Sequence, residues 1–333
     1  MKRYLLPETG NYYKANLHCH SRISDGKLDI ETIKRDYMAQ GYSAVAFTDH
    51  EVFIPHNQLT DENFVALNGV EYGIGNGQKF GKTCHFCAVA LDPDQTVQPC
   101  WHREKYIGCA RYFRVMVDHD ENEPDYVRAY TPEAISDMMR RVRDAGFFVT
   151  YNHPLWSRET AAEYCFYDGM HAMEICNNAS RSTGGPEYCP MVYDEMLRAG
   201  KRIFCMATDD NHSAKIRFGG FVMIHAEKLE YRALTSALMR GDFYASQGPR
   251  IEELSYENGE IYARTSPAKR ILFTFGLQRF ARGEHGEEGK TVSEARAVVP
   301  PDAIYVRLTV EDAEGRHANS HAYFLDELET EKR

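Results

Sequence analysis

The sequence predicts an α/β fold in which strands and helices alternate over residues 1–248, followed by a small antiparallel, sandwich-like β domain over 249–333. Three observations carry this. Short apolar runs alternate with stretches of helical periodicity that close on glycine, an order that predicts a parallel sheet with crossover helices, open or closed into a barrel. Nearly every apolar run ends in His, Asp, Glu or Asn, as expected where ligands bind beyond the carboxyl ends of strands. After "GDFYASQGPRI" (241–251) the helical period disappears until the charged tail.

The elements follow in order. "YKANLHCH" (13–20) reads as a strand, in which His18 and His20, two residues apart, share one face while Cys19 points the other way. "LDIETIKRDYMAQGY" (28–42) has apolar residues at helical spacing and a glycine stop. "SAVAFTDH" (43–50) is a buried strand ending in polar residues, and "FVALNGVEYG" (64–73) and "HFCAVALDP" (85–93) are two more strands. "TPEAISDMMRRVRDAG" (131–146) is a helix with Thr131 as N-cap and Pro132 at the first position. Strand "FFVTYNHP", strand "MHAMEICN", helix "YCPMVYDEMLRAGK" and strand "RIFCMATDDNH" complete the series. Beyond it, "ILFTFGLQ", "IYVRLTVED" and "AYFLD" are β-like, and "ELETEKR" reads as a frayed, solvated end.

A net charge of −10 argues against affinity for long nucleic acids, whose backbones are read by clustered Lys and Arg. No apolar run approaches the length of a membrane span, and the first residues do not read as a signal peptide. Nine scattered cysteines without an export signal read as reduced thiols of a cytoplasmic protein.

The polar strand ends gather His18, His20, Asp25, Asp49, His50, Glu71, His85, His153, Asp209, Asp210 and His212. Imidazoles at successive strand ends are poor core filler, because every ring nitrogen needs a partner. Mixed imidazole and carboxylate donors suit Zn, Mn or Fe, and so many donors imply two or three divalent ions rather than one.

The ordered set HxH…SDG…TDH…GVE…CHF…NHP…DxH resembles the PHP (polymerase and histidinol phosphatase) family over residues 14–250. The resemblance implies a distorted (β/α)7 TIM-like barrel, a trinuclear metal centre and phosphoesterase activity. Carried over by position, it implies that His18, His20, Glu71 and Asp210 hold one metal. Glu71, His85 and His153 would hold a second, with Glu71 bridging, and Asp25, His50 and His212 a third. "TDDNH" offers both Asp209 and Asp210, and the family spacing selects Asp210; Asp49 would support a ligand from outside. The implied reaction is attack by a metal-bridging hydroxide on a small phosphorylated substrate or short oligonucleotide. Asp25 or His212 would stand near the leaving oxygen, and Arg181 of "NNASRSTGG" is the first choice for a guanidinium fork on phosphate, ahead of Arg22, Arg158 and Lys215. Two other functions stay open: hydrolysis of a C–N bond at the same site, and substrate binding around a non-catalytic metal centre.

"GIGNGQKFGKT" (73–83) has Asn76 where a P-loop needs its first glycine, and reads as a flexible loop. Residues 100–130 read as an insertion that borders the pocket or as an ordinary connection. His285, His317 and His321 are expected at the surface.

Overall fold

The computed structural model describes residues 2–7, 10–79, 81–186, 188–278, 281–287 and 289–330. In chain order the elements are β1 (Arg3–Tyr4), β2 (Asn11–Asn16), α1 (Ile30–Met38), β3 (Ala44–Phe47), β4 (Val65–Gly75), β5 (Thr83–Ala90), α2 (Pro132–Asp144), β6 (Phe147–Asn152), α3 (Ala161–Tyr164), β7 (Ala172–Asn177), α4 (Pro190–Arg198), β8 (Phe204–Thr208), β9 (Phe221–Ala226), α5 (Tyr231–Arg240) and β10 (Phe243–Ser246). The remainder is β11 (Ile251–Glu257), β12 (Glu260–Ala268), β13 (Arg270–Thr274), β14 (Ala281–His285), β15 (Val292–Val298), β16 (Tyr305–Glu311), β17 (His317–Asn319), β18 (Tyr323–Phe324) and α6 (Leu325–Thr330).

Local chemistry explains the helix starts. The Asp29 carboxylate accepts from the Thr32 amide at 2.7 Å and caps α1. The Thr131 hydroxyl accepts from the Ala134 amide at 3.3 Å and caps α2, whose first residue is Pro132. Helices α1, α2 and α5 each lay an apolar face on the sheet. Ile33 and Tyr37 of α1 pack beside Val45 and Phe47; Ile135, Met138 and Val142 of α2 pack beside Phe86 and Val149; Leu234 and Leu238 of α5 pack beside Ala15 and Val222.

The sheet is mixed rather than parallel throughout. β2–β3, β3–β4, β6–β7 and β7–β8 are parallel, whereas β4–β5, β5–β6 and β2–β9 are antiparallel. The short loop after Gly75 is the reason at β4–β5, since a parallel pair needs a crossover of about a dozen residues or more. That loop is the P-loop look-alike, and Phe80 within it lies outside the described residues. The barrel expected from the sequence is not shown as a continuous ladder: β8 ends the hydrogen-bonded strand order. Just past the strand ends, however, the Asp210 amide donates to the His18 carbonyl at 3.0 Å and the His20 amide to the Asn211 carbonyl at 3.2 Å.

The C-terminal region is β-rich. β1, β11, β12 and β15 form one sheet, while β13, β16 and β17 extend the large sheet through β10. Leu254, Ile261, Phe273, Leu308 and Val310 fill the space between the two, joined by Leu5 and Leu6 from the start of the chain. Two expectations are corrected here. The tail forms α6, with Leu325 and Leu328 buried, and residues 331–333 lie outside the described residues. His321 is buried rather than at the surface, its ring set against Phe204 and Tyr323.

Candidate metal centre

All nine sequence-derived ligand positions lie at one end of the sheet. His18 and His20 follow β2, His50 follows β3, Glu71 lies within β4, His153 follows β6, and Asp210 and His212 follow β8. His85 is the exception to the rule of carboxyl ends. It sits at the start of β5, and the antiparallel register opposite Gly73 brings it to the same end as the others. The turn after "SD" is forced by crowding, because a Cβ on Gly26 would come within 2.4 Å of the His20 carbonyl oxygen. His153 (φ 29°) and Asp210 (φ 49°) hold left-handed backbone conformations that non-glycine residues rarely adopt.

The carboxylates of Glu71 and Asp210 are the hub. His18 Nε2 lies 3.3 Å from Glu71 Oε1 and 3.3 Å from Asp210 Oδ1. His20 Nε2 lies 3.3 Å from Glu71 Oε2, 3.0 Å from Asp210 Oδ1 and 3.1 Å from His18 Nε2. Donors on a tetrahedron with bonds of about 2.0–2.1 Å are about 3.3 Å apart, so the spacing of His18, His20 and Asp210 fits a single ion. Glu71 Oε1 is also reached by His153 Nε2 at 3.2 Å and His85 Nδ1 at 3.3 Å. His50 Nδ1 comes within 3.0 Å of Glu71 Oε2. At the rim, Asp25 lies 3.4 Å from His212 Nε2 and 3.6 Å from His50 Nε2. The grouping by proximity differs from the sequence-derived shells: His20 also joins Asp25, His50 and His212, His50 stands in the expected place of His153 beside Glu71 and His85, and Glu71 groups with His18 and Cys87 while His18, His20 and Asp210 form a group of three.

A test of fit comes from the atoms left over. Glu71 Oε2, Asp210 Oδ1 and His85 Nδ1 are buried and make no hydrogen bond, although buried polar atoms normally do. These are atoms of the proposed ligands, and their oxygen and nitrogen chemistry suits a hard or borderline divalent cation.

Electrostatics point the same way. Burial opposes charge on these groups, and their neighbours override it. Asp210 and Glu71 help hold His18 well above the ordinary histidine range and bring His20 up to about 10. In return His18, His85 and His50 hold Glu71 well below the carboxylate range, and His18, His20 and His212 do the same for Asp210. His50 moves the other way, down to about 3, through burial and the neighbouring His20. Ionised carboxylates here are balanced by protons on imidazoles, and a divalent ion would bind in exchange for those protons.

Support from outside the ligands is extensive. Asp49 accepts from the Ser21 and Ser24 amides at 2.8 and 3.1 Å, pinning the loop that carries Asp25. Asp209 is turned from the cluster, taking the amides of Phe218, Gly219 and Gly220 at 2.7, 2.8 and 3.1 Å. His212 Nδ1 donates to the Asp210 carbonyl at 2.9 Å, leaving Nε2 toward Asp25. Sequence reasoning missed Asn152, whose amide donates to Glu71 Oε1 at 2.9 Å, and Glu174, fully buried behind His18. The signal for Glu174 was a single carboxylate inside the apolar run "AMEIC".

The cluster opens into a cavity of about 230 Å³ walled by Trp156, Ala179, Ser180, Ser182, Thr183 and Ile216. The indole of Trp156 packs on His153 and His85 and remains 42% exposed. Arg181 sits on this loop, but it is exposed and does not line the cavity, and neither do Arg22, Arg158 or Lys215. Among the described residues, no Lys or Arg lines it. The 100–130 insertion contributes no lining residue either. Ala110 and Val117 pack against Val52 and Ile54, behind the segment that follows His50.

No family model and no curated protein matches the chain. Among solved structures, the chain is similar to a two-domain protein from Bacteroides vulgatus described as containing a predicted PHP-like metal-dependent phosphoesterase, at 15% identity and a TM-score of 0.45, over 93% of this chain and 94% of that one. It is also similar to a protein from Bifidobacterium adolescentis described as a candidate metal-dependent phosphoesterase, at 16% identity and a TM-score of 0.39, over 62% of this chain and 89% of that one. A third is an amidohydrolase from Chromobacterium violaceum with bound sulfate, at 17% identity and a TM-score of 0.36, over 60% and 88% of the respective chains. No helix among the described residues is long and apolar enough to cross a membrane.

Proposed function

We propose that this chain is a metal-dependent hydrolase acting on phosphate esters of small molecules or short oligonucleotides. The observation that carries the reading is the convergence of His18, His20, His50, His85 and His153 on the Glu71 carboxylate, within a cluster where Glu71 Oε2, Asp210 Oδ1 and His85 Nδ1 are buried without hydrogen-bond partners. His18, His20, Glu71 and Asp210 would hold one ion, Glu71, His85 and His153 a second, and Asp25, His50 and His212 a third. Bound ions supply a nucleophile at neutral pH and neutralise charge developing on phosphate oxygens. The chain's own part is to orient and to exclude water. Nδ1 atoms of His18, His153 and His212 are tied to Glu174, Ser157 and the Asp210 carbonyl, which leaves their Nε2 atoms facing inward. Asp25 and His212, at the rim, would stand nearest the leaving oxygen. The strand series β2 to β8, drawn together where His18 meets Asp210, supports reading this region as the distorted seven-stranded barrel.

The cavity also favours a second reading. With no Lys or Arg among its described lining residues, it offers no guanidinium to a phosphate dianion, and a less charged substrate such as an amide fits that wall better. The test is hydrolysis by Mn²⁺-loaded protein of phosphomonoesters, phosphodiesters, short 5′-phosphorylated oligonucleotides and amides, beside a His18→Ala control. Turnover of a phosphate ester that vanishes in the control supports the first reading. Turnover of amides alone moves the assignment to C–N hydrolysis.

A further inference from the structure

We infer that Glu174 is the positioning residue of the metal centre, an inference that rests on the metal-dependent reading above. Its carboxylate is fully buried and lies outside the cluster of ligands. Four donors meet it. His18 Nδ1 at 2.7 Å and the Thr208 hydroxyl at 2.6 Å approach Oε1. The His153 amide at 2.9 Å and Asn177 Nδ2 at 2.9 Å approach Oε2. The same Asn177 amide reaches Asp210 Oδ2 at 3.2 Å. One side chain therefore touches the ring of one ligand, the backbone of a second and, through Asn177, the carboxylate of a third.

The consequences are specific. A hydrogen bond from His18 Nδ1 to Glu174 fixes the proton on that nitrogen and leaves Nε2 for a cation, the arrangement in which a carboxylate orients a metal-bound histidine. His153 and Asp210 are the two ligands with left-handed backbones, and Glu174 is tied to both. The local fold is adapted to this task. Glu174 and Asn177 are three residues apart and would face opposite sides of a regular strand, yet the pairing of β7 with β8 shifts register between Glu174 and Cys176 and lets both reach the site.

Both oxygens accept, so an amide cannot replace the carboxylate. Whichever way glutamine is turned, its NH₂ faces two donors, and on the Oε1 side the proton on His18 Nδ1 is disfavoured. The experiment is titration of the metal-free full chain with Zn²⁺ at fixed pH, comparing wild type with Glu174→Gln, with circular dichroism to establish that the variant is folded. The expected result is affinity weaker by about 10–100-fold. A folded variant that binds Zn²⁺ as tightly as wild type, with only its melting temperature lowered, would overturn the inference and leave the metal reading intact. If the variant does not fold, nitrogen-15 spectra of the Zn²⁺-loaded wild type decide instead: a proton on His18 Nδ1 with Nε2 bound is expected, and binding through Nδ1 overturns the inference. A wild-type chain that binds no Zn²⁺ overturns the metal reading, and this inference with it.

Discussion

Buried carboxylates find their partners in different ways at two ends of the sheet. At the junction of α4 with the C-terminal strands, Asp194 accepts from Arg307 Nε at 2.8 Å, Arg307 Nη2 at 2.7 Å and the Tyr305 hydroxyl at 2.7 Å, so both of its oxygens are satisfied within the chain. At the other end of the sheet, Glu71 and Asp210 face imidazoles, and each keeps a buried oxygen without a hydrogen bond. A closed, bidentate pair specifies packing. An acidic cluster left incomplete by its own chain is built for something that binds. The same contrast separates the histidines: the cluster raises His20 to about 10, whereas burial among aromatic rings lowers His321 to about 4.

The sharpest way to break this comparison is to cut both carboxylates. Glu71→Gln should remove hydrolysis by more than the about 100-fold that a supporting residue costs, while the metal-free protein loses less stability than it does on cutting Asp194. Asp194→Ala should do the reverse, destabilising by about 3–5 kcal/mol because it strands a buried guanidinium, with activity kept in the folded fraction. Activity assays and urea melts on the two variants check both, and equal stability losses would erase the distinction. Next in size is metal itself: an ion at about 100 times its dissociation constant should stabilise the fold by about 2.7 kcal/mol, lost on adding a chelator.

The pH dependence follows in sign. Because His20 is raised to about 10, its protonation stabilises the metal-free fold fully below the unfolded value near 6.5, and that contribution disappears as pH rises toward 10. Metal affinity should climb over the same range, since fewer protons must leave. His321 has the opposite sign. Lowered to about 4, it costs stability as pH falls from about 6.5 toward 4, and His321→Phe should flatten that acid limb in thermal melts. The smallest effect is expected at Arg181, exposed and outside the cavity lining: Arg181→Ala should leave kcat/KM nearly unchanged, and a large loss would restore the guanidinium fork.

Much of this was legible in the sequence, because ligands at strand ends are separated by patterns that single residues reveal. His18 and His20 announce a shared face by their spacing, and Thr131-Pro132 announces a helix start. The antiparallel β5 was not legible: an apolar run has no direction, so His85 looked like a terminus when it is a beginning. Glu174 was hidden for a related reason, since its role depends on a register shift that only strand pairing creates. Arg181 was favoured because its loop follows a strand, and the loop does wall the cavity, but through its serines and threonine. His321 shows that a polar residue in a β stretch can be buried against rings as readily as solvated.

The most direct test is the number of divalent ions retained after equilibrium dialysis against Mn²⁺ or Zn²⁺, measured by elemental analysis for wild type and Glu71→Gln. Two or three ions per wild-type chain, falling to one or none in the variant, is the predicted result. A wild-type chain that retains none, or a variant that retains as many, would contradict a metal centre built on Glu71.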